Sequence, residues 1–149
     1  MKFRDANTIA RHIEKNIRGL TRVGSLARRE DEVNDLDFLT MKDLYCIANE
    51  FKELYDLEIC AMGNNVLFMK LNTDYGTIDI DIWRVIGYRH LERAKVLRTL
   101  DKGHNIYLRK KAKDMGLTLS EHGLYDKENN INIHFNNLKQ LLDILKVSY

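Results

Sequence analysis

The chain has 149 residues, 24 basic and 22 acidic side chains, 44% apolar residues, two cysteines and no proline, which suits one ordinary soluble domain or two very small ones. No stretch approaches the roughly 18 consecutive apolar residues that a bilayer-spanning helix needs, and Met1-Lys2-Phe3-Arg4-Asp5 lacks the apolar core of a secretory signal. A soluble, intracellular protein with no membrane partner is therefore expected. Cys46 and Cys60 show neither Cys-x-x-Cys nor metal-ligand spacing, which predicts reduced, buried thiols and no zinc.

Ala6, Ile9, Ala10, Ile13 and Ile17 recur at the three-and-four spacing of an amphipathic helix, which Gly19 ends before a short strand-like run from Leu20 to Gly24. Val33 to Thr40 is predicted to be a strand that gives way to a helix start at Thr40, and Leu44, Ile47, Ala48, Phe51 and Leu54 define a second amphipathic helix. Leu57 to Met62 and Val66 to Leu71 read as a hairpin around Gly63-Asn64-Asn65, with the next turn at Asn72 to Gly76. Ile78, Ile80 and Ile82 alternate with Asp79, Asp81 and Trp83, the pattern of a half-buried strand. These elements predict a mixed sheet with helices on one side, and Trp83 is read as a core residue.

From Arg84 to Lys113 the pattern is helical and carries ten basic residues against two acidic ones, whereas Glu30 to Glu58 carries ten acids and two bases. The near-neutral total thus hides a polarised molecule. Leu117-Thr118-Leu119 and Asn130 to Phe135 read as two short strands, with turns at Gly123 and Asn129-Asn130, and Leu138, Leu141, Leu142 and Leu145 mark a last helix. The expected class is α+β, with a boundary near residues 84 to 88 between a larger acidic part and a smaller basic one.

Two aspartates at i and i+2 on a strand point to one face with Cα atoms roughly 7 Å apart. Asp35 and Asp37 form one such pair and Asp79 and Asp81 another. If the strands are neighbours, three or four carboxylates line one patch, and such all-oxygen ligation suits magnesium or manganese, including the paired ions that assist phosphoryl transfer. Gly24-Ser25 closes a predicted strand and could receive a phosphate, since glycine permits close backbone approach, serine adds a hydroxyl, and Arg28 or Arg29 could clamp the anion. The histidines His12, His90, His104, His122 and His134 share no metal spacing and read as surface or core residues.

Val23-Gly24-Ser25-Leu26-Ala27-Arg28-Arg29, followed by Asn34-Asp35-Leu36-Asp37, resembles the nucleotidyltransferase signature of family X DNA polymerases, the polymerase beta-like group. A second block, His104 to Lys113 and then Gly116 to Tyr125, is similar to the nucleotide-facing helix and following hairpin of that family's thumb. The resemblance runs over essentially the whole chain and is closest to minimal viral members built of palm and thumb alone. It implies a palm at residues 1–86 and a basic thumb at 87–149, with no lyase or fingers domain. The implied reaction is DNA-directed transfer of deoxynucleotides from dNTPs to a primer 3′ hydroxyl with two Mg2+ ions, Mn2+ being able to substitute. The implied partner is gapped or primer-template DNA, bound by a monomer filling short gaps in DNA repair with low processivity. A viral member would act in the host cytoplasm or the virion.

By position, the resemblance implies that Asp35 and Asp37 hold both ions, with Asp81 as third carboxylate and Asp79 as its fallback. Gly24, Ser25 and Arg28 match triphosphate-binding positions, Asn105 and Lys102 nucleotide-binding ones, and Arg109, Lys110, Lys111 and Lys113 the DNA-facing helix. Ala27 stands where many relatives carry the first of two arginines, and Leu97-Arg98-Thr99-Leu100 replaces the turn that discriminates sugars. The lost turn leaves room for a rival expectation, a template-independent or ribonucleotide-tolerant nucleotidyltransferase; a second rival is an inactive nucleic-acid-binding module, against which Asp35, Asp37 and Asp81 speak.

Overall fold

The computed structural model describes residues 1–147, which form two compact units, the first Met1–Ile86 and the second beginning at Gly87. The first unit runs α1 (Phe3–Asn16), β1 (Thr21–Val23), α2 (Gly24–Ala27), β2 (Asp35–Thr40), α3 (Leu44–Leu54), β3 (Leu57–Met62), β4 (Val66–Thr73) and β5 (Gly76–Arg84). Its five strands make one mixed sheet in the order β1-β2-β5-β4-β3, with β2 and β5 parallel and the other pairs antiparallel. Two tight connections set the antiparallel part. Gly63 N donates to Val66 O at 2.9 Å, and Thr73 Oγ1 donates to Gly76 O at 2.6 Å. The second turn lets β4 continue two residues beyond the expected strand end at Leu71.

Period two decides what each sheet face buries. Leu36 and Phe38 of β2, Leu67, Met69 and Leu71 of β4, and Ile78, Ile80 and Ile82 of β5 pack in one cluster with Ile9, Ile13, Leu44, Ile47 and Phe51 of the two long helices. At about 1.5–3 kcal/mol for each large apolar side chain removed from water, this cluster dominates the unit's stability. Asp35, Asp37, Asp79 and Asp81 occupy the alternate positions and so stand on the other face.

Three sequence expectations fail in this unit for identifiable reasons. Helix α3 starts at Leu44, where the Asp43 carboxylate accepts from Tyr45 N at 2.8 Å. Thr40 is instead buried, still paired with Arg84 in the sheet, and its hydroxyl accepts from Lys42 N. A threonine serves equally as a strand end or a helix cap, and here the ladder takes it. Both cysteines are exposed rather than buried. Cys46 lies outside the Leu44-Ile47-Ala48-Phe51 stripe of α3, and Cys60 lies at the register shift of the edge strand β3. Trp83 is half-buried on the carboxylate-bearing face, edge-on to Phe68 with ring centroids 6.1 Å apart, rather than in the core cluster.

The second unit comprises α4 (Gly87–Thr99), α5 (Lys102–Asp114), β6 (Leu117–Ser120), β7 (Gly123–Asp126), β8 (Ile131–Ile133) and α6 (Leu138–Leu145). A three-stranded antiparallel sheet, β6-β7-β8, shares a core of Leu97, Leu108, Leu119, Leu124, Phe135, Leu141 and Leu145 with the helices. Gly123, expected in a turn, opens strand β7, which the residue pattern does not mark but the hairpin implied by the resemblance over Gly116 to Tyr125 does; it buries only Leu124 and Gly123 itself. A four-residue strand with one apolar core contact leaves almost no periodic signal. The α+β class and mixed sheet expected from the sequence are both present. Among the described residues no helix is long and apolar enough to cross a membrane.

Candidate active site

The register of the first unit's sheet arranges the carboxylates. Asp35 of β2 is the partner of Asp79 of β5, and Asp37 is the partner of Asp81. On the far side of β5, Lys70 and Phe68 of β4 are the partners of Asp79 and Asp81. Reading across the open face, one row is therefore Asp35, Asp79, Lys70 and the next is Asp37, Asp81, Phe68. Asp35, Asp37 and Asp81 each present an oxygen within 4.8 Å of the others, and Asp79 lies outside that group. Lys70 and Phe68 went unnoticed in the sequence because only the strand order β5-β4 puts them beside the aspartates.

Gathering these charges has an electrostatic cost. The Asp81 carboxyl is pushed up to about 6, first by its burial and then by the charges of Asp35 and Asp79. Like charges held together in a partly desolvated site favour the protonated form, and a cation placed among them relieves the same repulsion. An all-carboxylate, hard-oxygen donor set of this kind fits a divalent ion such as Mg2+ or Mn2+.

The loop before β2 is shaped by the same carboxylates. Antiparallel pairing of β1 with β2 sets Val23 opposite Asp37, so Gly24 follows directly beside it. Gly24 has φ +70°, and a Cβ there would overlap the Asp37 Oδ2 atom. The glycine is thus demanded twice, by left-handed backbone and by the Asp37 side chain. Ser25 follows in the single-turn α2, half-buried. Arg28 ends that turn with Nη2 on Glu30 Oε2 at 3.1 Å, and the Arg29 guanidinium lies over the Phe3 ring, 4.8 Å from its centroid. Arg29, one of two phosphate clamps weighed from the sequence, is thus occupied with an aromatic face.

The remaining sequence-derived candidates lie in the second unit, on α5. Asp101 caps the helix by accepting from His104 N at 2.9 Å, and Lys102 is its exposed first residue. Asn105 Nδ2 donates to Leu97 O at 2.7 Å and Leu100 O at 3.3 Å, which ties the end of α4 to the start of α5. Asn105 Oδ1 is buried with no hydrogen-bond partner among the described residues. Arg109 Nη1 donates to Leu119 O at 2.8 Å, fixing α5 to β6. Lys110 and Lys113 are exposed and Lys111 is half-buried. At 100° per residue, Lys110 and Lys113 share the outer face with Ile106 and Tyr107, which are 58% and 53% exposed. This apolar element within the basic helix was legible in the periodicity but overshadowed by the charges.

Comparison with known proteins bears on the fold of the two units. Residues 96–149 match the family described as DNA polymerase beta thumb. Over 124 residues, 78% of the chain, the sequence is 30% identical to the DNA polymerase/3′-5′ exonuclease PolX of Bacillus subtilis strain 168. The chain spans only 21% of that relative's length. Among solved structures, the Leishmania infantum polymerase beta ternary gap complex matches with a TM-score of 0.85 at 15% identity, covering 100% of this chain and 68% of that one. The ternary P/T complex of the same protein matches with a TM-score of 0.80 at 15% identity, covering 100% and 74%. The fold is that of a polymerase beta palm and thumb, and in sequence the chain is similar to the polymerase beta thumb family and to PolX.

Proposed function

We propose that this family X polymerase-like chain is a DNA-directed nucleotidyltransferase that adds deoxynucleotides from dNTPs to a primer 3′ hydroxyl on gapped or primer-template DNA, with short-gap repair as its role. The observation that carries the reading is the convergence of Asp35, Asp37 and Asp81 within 4.8 Å on one sheet face. In this reading Asp35 and Asp37 hold two Mg2+ ions, or Mn2+ in their place, and Asp81 shares one of them. When bound, such ions acidify the attacking hydroxyl and neutralise charge on the transferring phosphoryl group.

The chain's own residues do the positioning. Gly24 leaves the Asp37 carboxylate its space, and Ser25 offers a hydroxyl donor at the neighbouring position for a triphosphate oxygen. Arg28 would exchange its Glu30 partner for that triphosphate, a trade favoured by the strength of bidentate guanidinium-phosphate bonds. Lys102 and Asn105 are assigned to the incoming nucleotide, Asn105 through the Oδ1 that has no internal partner. Arg109, Lys110, Lys111 and Lys113 are assigned to DNA. Phosphate contacts of this kind bind without reading sequence, as a gap-filling enzyme requires. Low processivity follows from so small a set of contacts.

Primer extension tests the reading directly, using gapped, recessed and single-stranded DNA, Mg2+ or Mn2+, and all deoxy- and ribonucleotides. We expect template-directed addition of deoxynucleotides at gaps, dependent on the divalent ion and lost in Asp35→Asn and Asp37→Asn. Incorporation that survives those substitutions would remove the assignment of the metal site. Addition without a template would make the chain a terminal transferase, and inactivity on every substrate would leave only a binding module.

A further inference from the structure

In the second unit, Arg93 of α4 is only 6% exposed, one of the few charged or polar residues in the interior. Its Nε donates to the backbone oxygen of Glu121 at 3.0 Å and its Nη1 to His134 Nδ1 at 3.1 Å. No carboxylate among the described residues lies within ion-pairing distance of it. The nearby Glu121 carboxylate is engaged elsewhere, with Arg98 Nη2 at 2.5 Å and His90 Nε2 at 3.2 Å. Burial and the like charge of Arg89 both work against the Arg93 cation. A buried guanidinium normally has an anionic partner, because removing its charge from water without one is costly.

What surrounds it is cationic or able to become so. His134, its hydrogen-bond partner, is exposed; His122 is exposed and packs against His90 with ring centroids 4.8 Å apart and planes tilted by 39°. With Arg89 and Arg98 these groups form a cluster of three arginines and three histidines beside Glu121, at the tip of the β6-β7 hairpin. It is separate from the Arg109 to Lys113 run and from the carboxylates of the first unit in sequence, and nothing in the proposed transfer reaction uses it.

We infer that Arg93, His122 and His134 form a phosphate-binding site in which the ligand supplies the counter-charge that the buried Arg93 lacks. Guanidinium and imidazole donors around one centre suit the several acceptor oxygens of a phosphate better than a planar carboxylate. The same chemistry is offered by free phosphate and by a phosphate on a nucleic-acid strand.

Histidine ring resonances of the full chain, followed by NMR at neutral pH without divalent ions, separate these sources and test the site. The probes are inorganic phosphate and one short oligonucleotide with and without a terminal phosphate, each against sodium chloride at matched ionic strength. Saturable shifts of His122 and His134, with His12 and His104 unmoved, are expected with at least one probe. Saturation by inorganic phosphate alone identifies a free-phosphate site, saturation only with the terminally phosphorylated strand a terminal-phosphate site, and equal saturation by both strands a backbone site. Uniform, non-saturating changes in all the histidines, or no change with any probe, overturn the inference. Arg93→Met should abolish the response while leaving the protein folded, since replacing a buried charge by an apolar group of similar size is often neutral or stabilising. A folded Arg93→Met protein that still shows saturable shifts contradicts the inference. Should that variant fail to fold, exposed His134→Gln decides, with affinity falling about tenfold as expected for a lost charge-assisted bond, read on His122; unchanged affinity would count against the site. None of these readouts involves nucleotide transfer, so failure here leaves the proposed enzyme intact, and failure of primer extension leaves this site intact.

Discussion

The open face of the five-stranded sheet and the hairpin tip of the second unit handle charge in opposite ways. On the sheet, three carboxylates converge with oxygens within 4.8 Å, and the nearest cation by register, Lys70, is the partner of Asp79 rather than of the converging group. At the hairpin tip, Glu121 is held between Arg98 and His90, and Arg109 is satisfied by a backbone carbonyl. The sheet thus gathers like charges at one place, whereas in the second unit Arg93, Arg98, Arg109 and Glu121 join its own elements. Like charges held together disfavour the ionised form of Asp81, and a divalent ion among them would relieve that repulsion.

The largest expected effects come from breaking the sheet's convergence. Asp35→Asn and Asp37→Asn should each reduce primer extension by about 10³-fold or more, given that catalysis of phosphoryl transfer rests on charge neutralisation and positioning. Both should melt no lower than the parent, because each removes like-charge repulsion; a fall in melting temperature would mean that the carboxylates hold the fold together. Asp81→Ala should match them in activity, while Asp79→Ala, outside the converging group, should stay within about tenfold of the parent. Equal losses from Asp79 and Asp81 would erase the distinction drawn from the geometry.

Gly24→Ala tests the same face without touching a charge. An added Cβ meets Asp37 Oδ2, and φ +70° costs a non-glycine residue about 1–2 kcal/mol. We expect extension to drop about 10²-fold through displacement of Asp37, with a loss of stability of only the size of the backbone strain. Full activity in this variant would show that Asp37 has room to relocate.

In the second unit the expected effects are smaller and structural as well as functional. Asn105→Ala leaves the carbonyls of Leu97 and Leu100 without their donor and should cost about 1–2 kcal/mol. Arg109→Ala loses one bond to Leu119 O and should cost about 1 kcal/mol. Hydrogen exchange along α4 and α5 reads both, and faster exchange confined to the α4-α5 junction in the first variant is the signature. Activity lost without any change in exchange would assign Asn105 wholly to substrate.

These contrasts also explain which features are legible in the sequence. The core helices were legible because Ile9, Ile13, Ile47 and Phe51 repeat at helical spacing, and the two Asp-x-Asp strands because alternation is unambiguous beside Ile78, Ile80 and Ile82. Convergence of Asp35 with Asp81 was legible only as a condition, since parallel pairing of β2 with β5 is a long-range fact that local pattern does not carry. Strand β7 is invisible to periodicity because Gly123 to Asp126 has a single core side chain, and only the hairpin resemblance over Gly116 to Tyr125 implies it. Cys46 and Cys60 were misplaced because composition speaks to the residue type, whereas exposure depends on a helix stripe in one case and a sheet edge in the other. Arg93 looked like one more cation in a basic stretch, and only burial separates it from its neighbours.

The smallest expected effect is the sharpest probe of the sheet's charge. The Asp81 carboxyl titrates at about 6 in the folded chain, raised by burial and then by Asp35 and Asp79, against about 3.9 in an unfolded one. Between those values the folded protein holds a proton that the unfolded chain has released, so without divalent ions stability falls as pH rises from about 4 through about 6 and is level above. Solvent reaches the group and screens the difference, which limits the loss to about 1 kcal/mol. A divalent ion competes with that proton, so Mg2+ should raise the melting temperature at pH 7.5 and much less at pH 5. Asp81→Asn should flatten both the metal-free slope and the pH dependence of the metal effect. Asp79→Asn should move the midpoint down while preserving the metal effect, because Asp79 contributes charge to Asp81 without presenting an oxygen to the converging group. Equal stabilisation by Mg2+ at both pH values would mean that the ion binds away from Asp81.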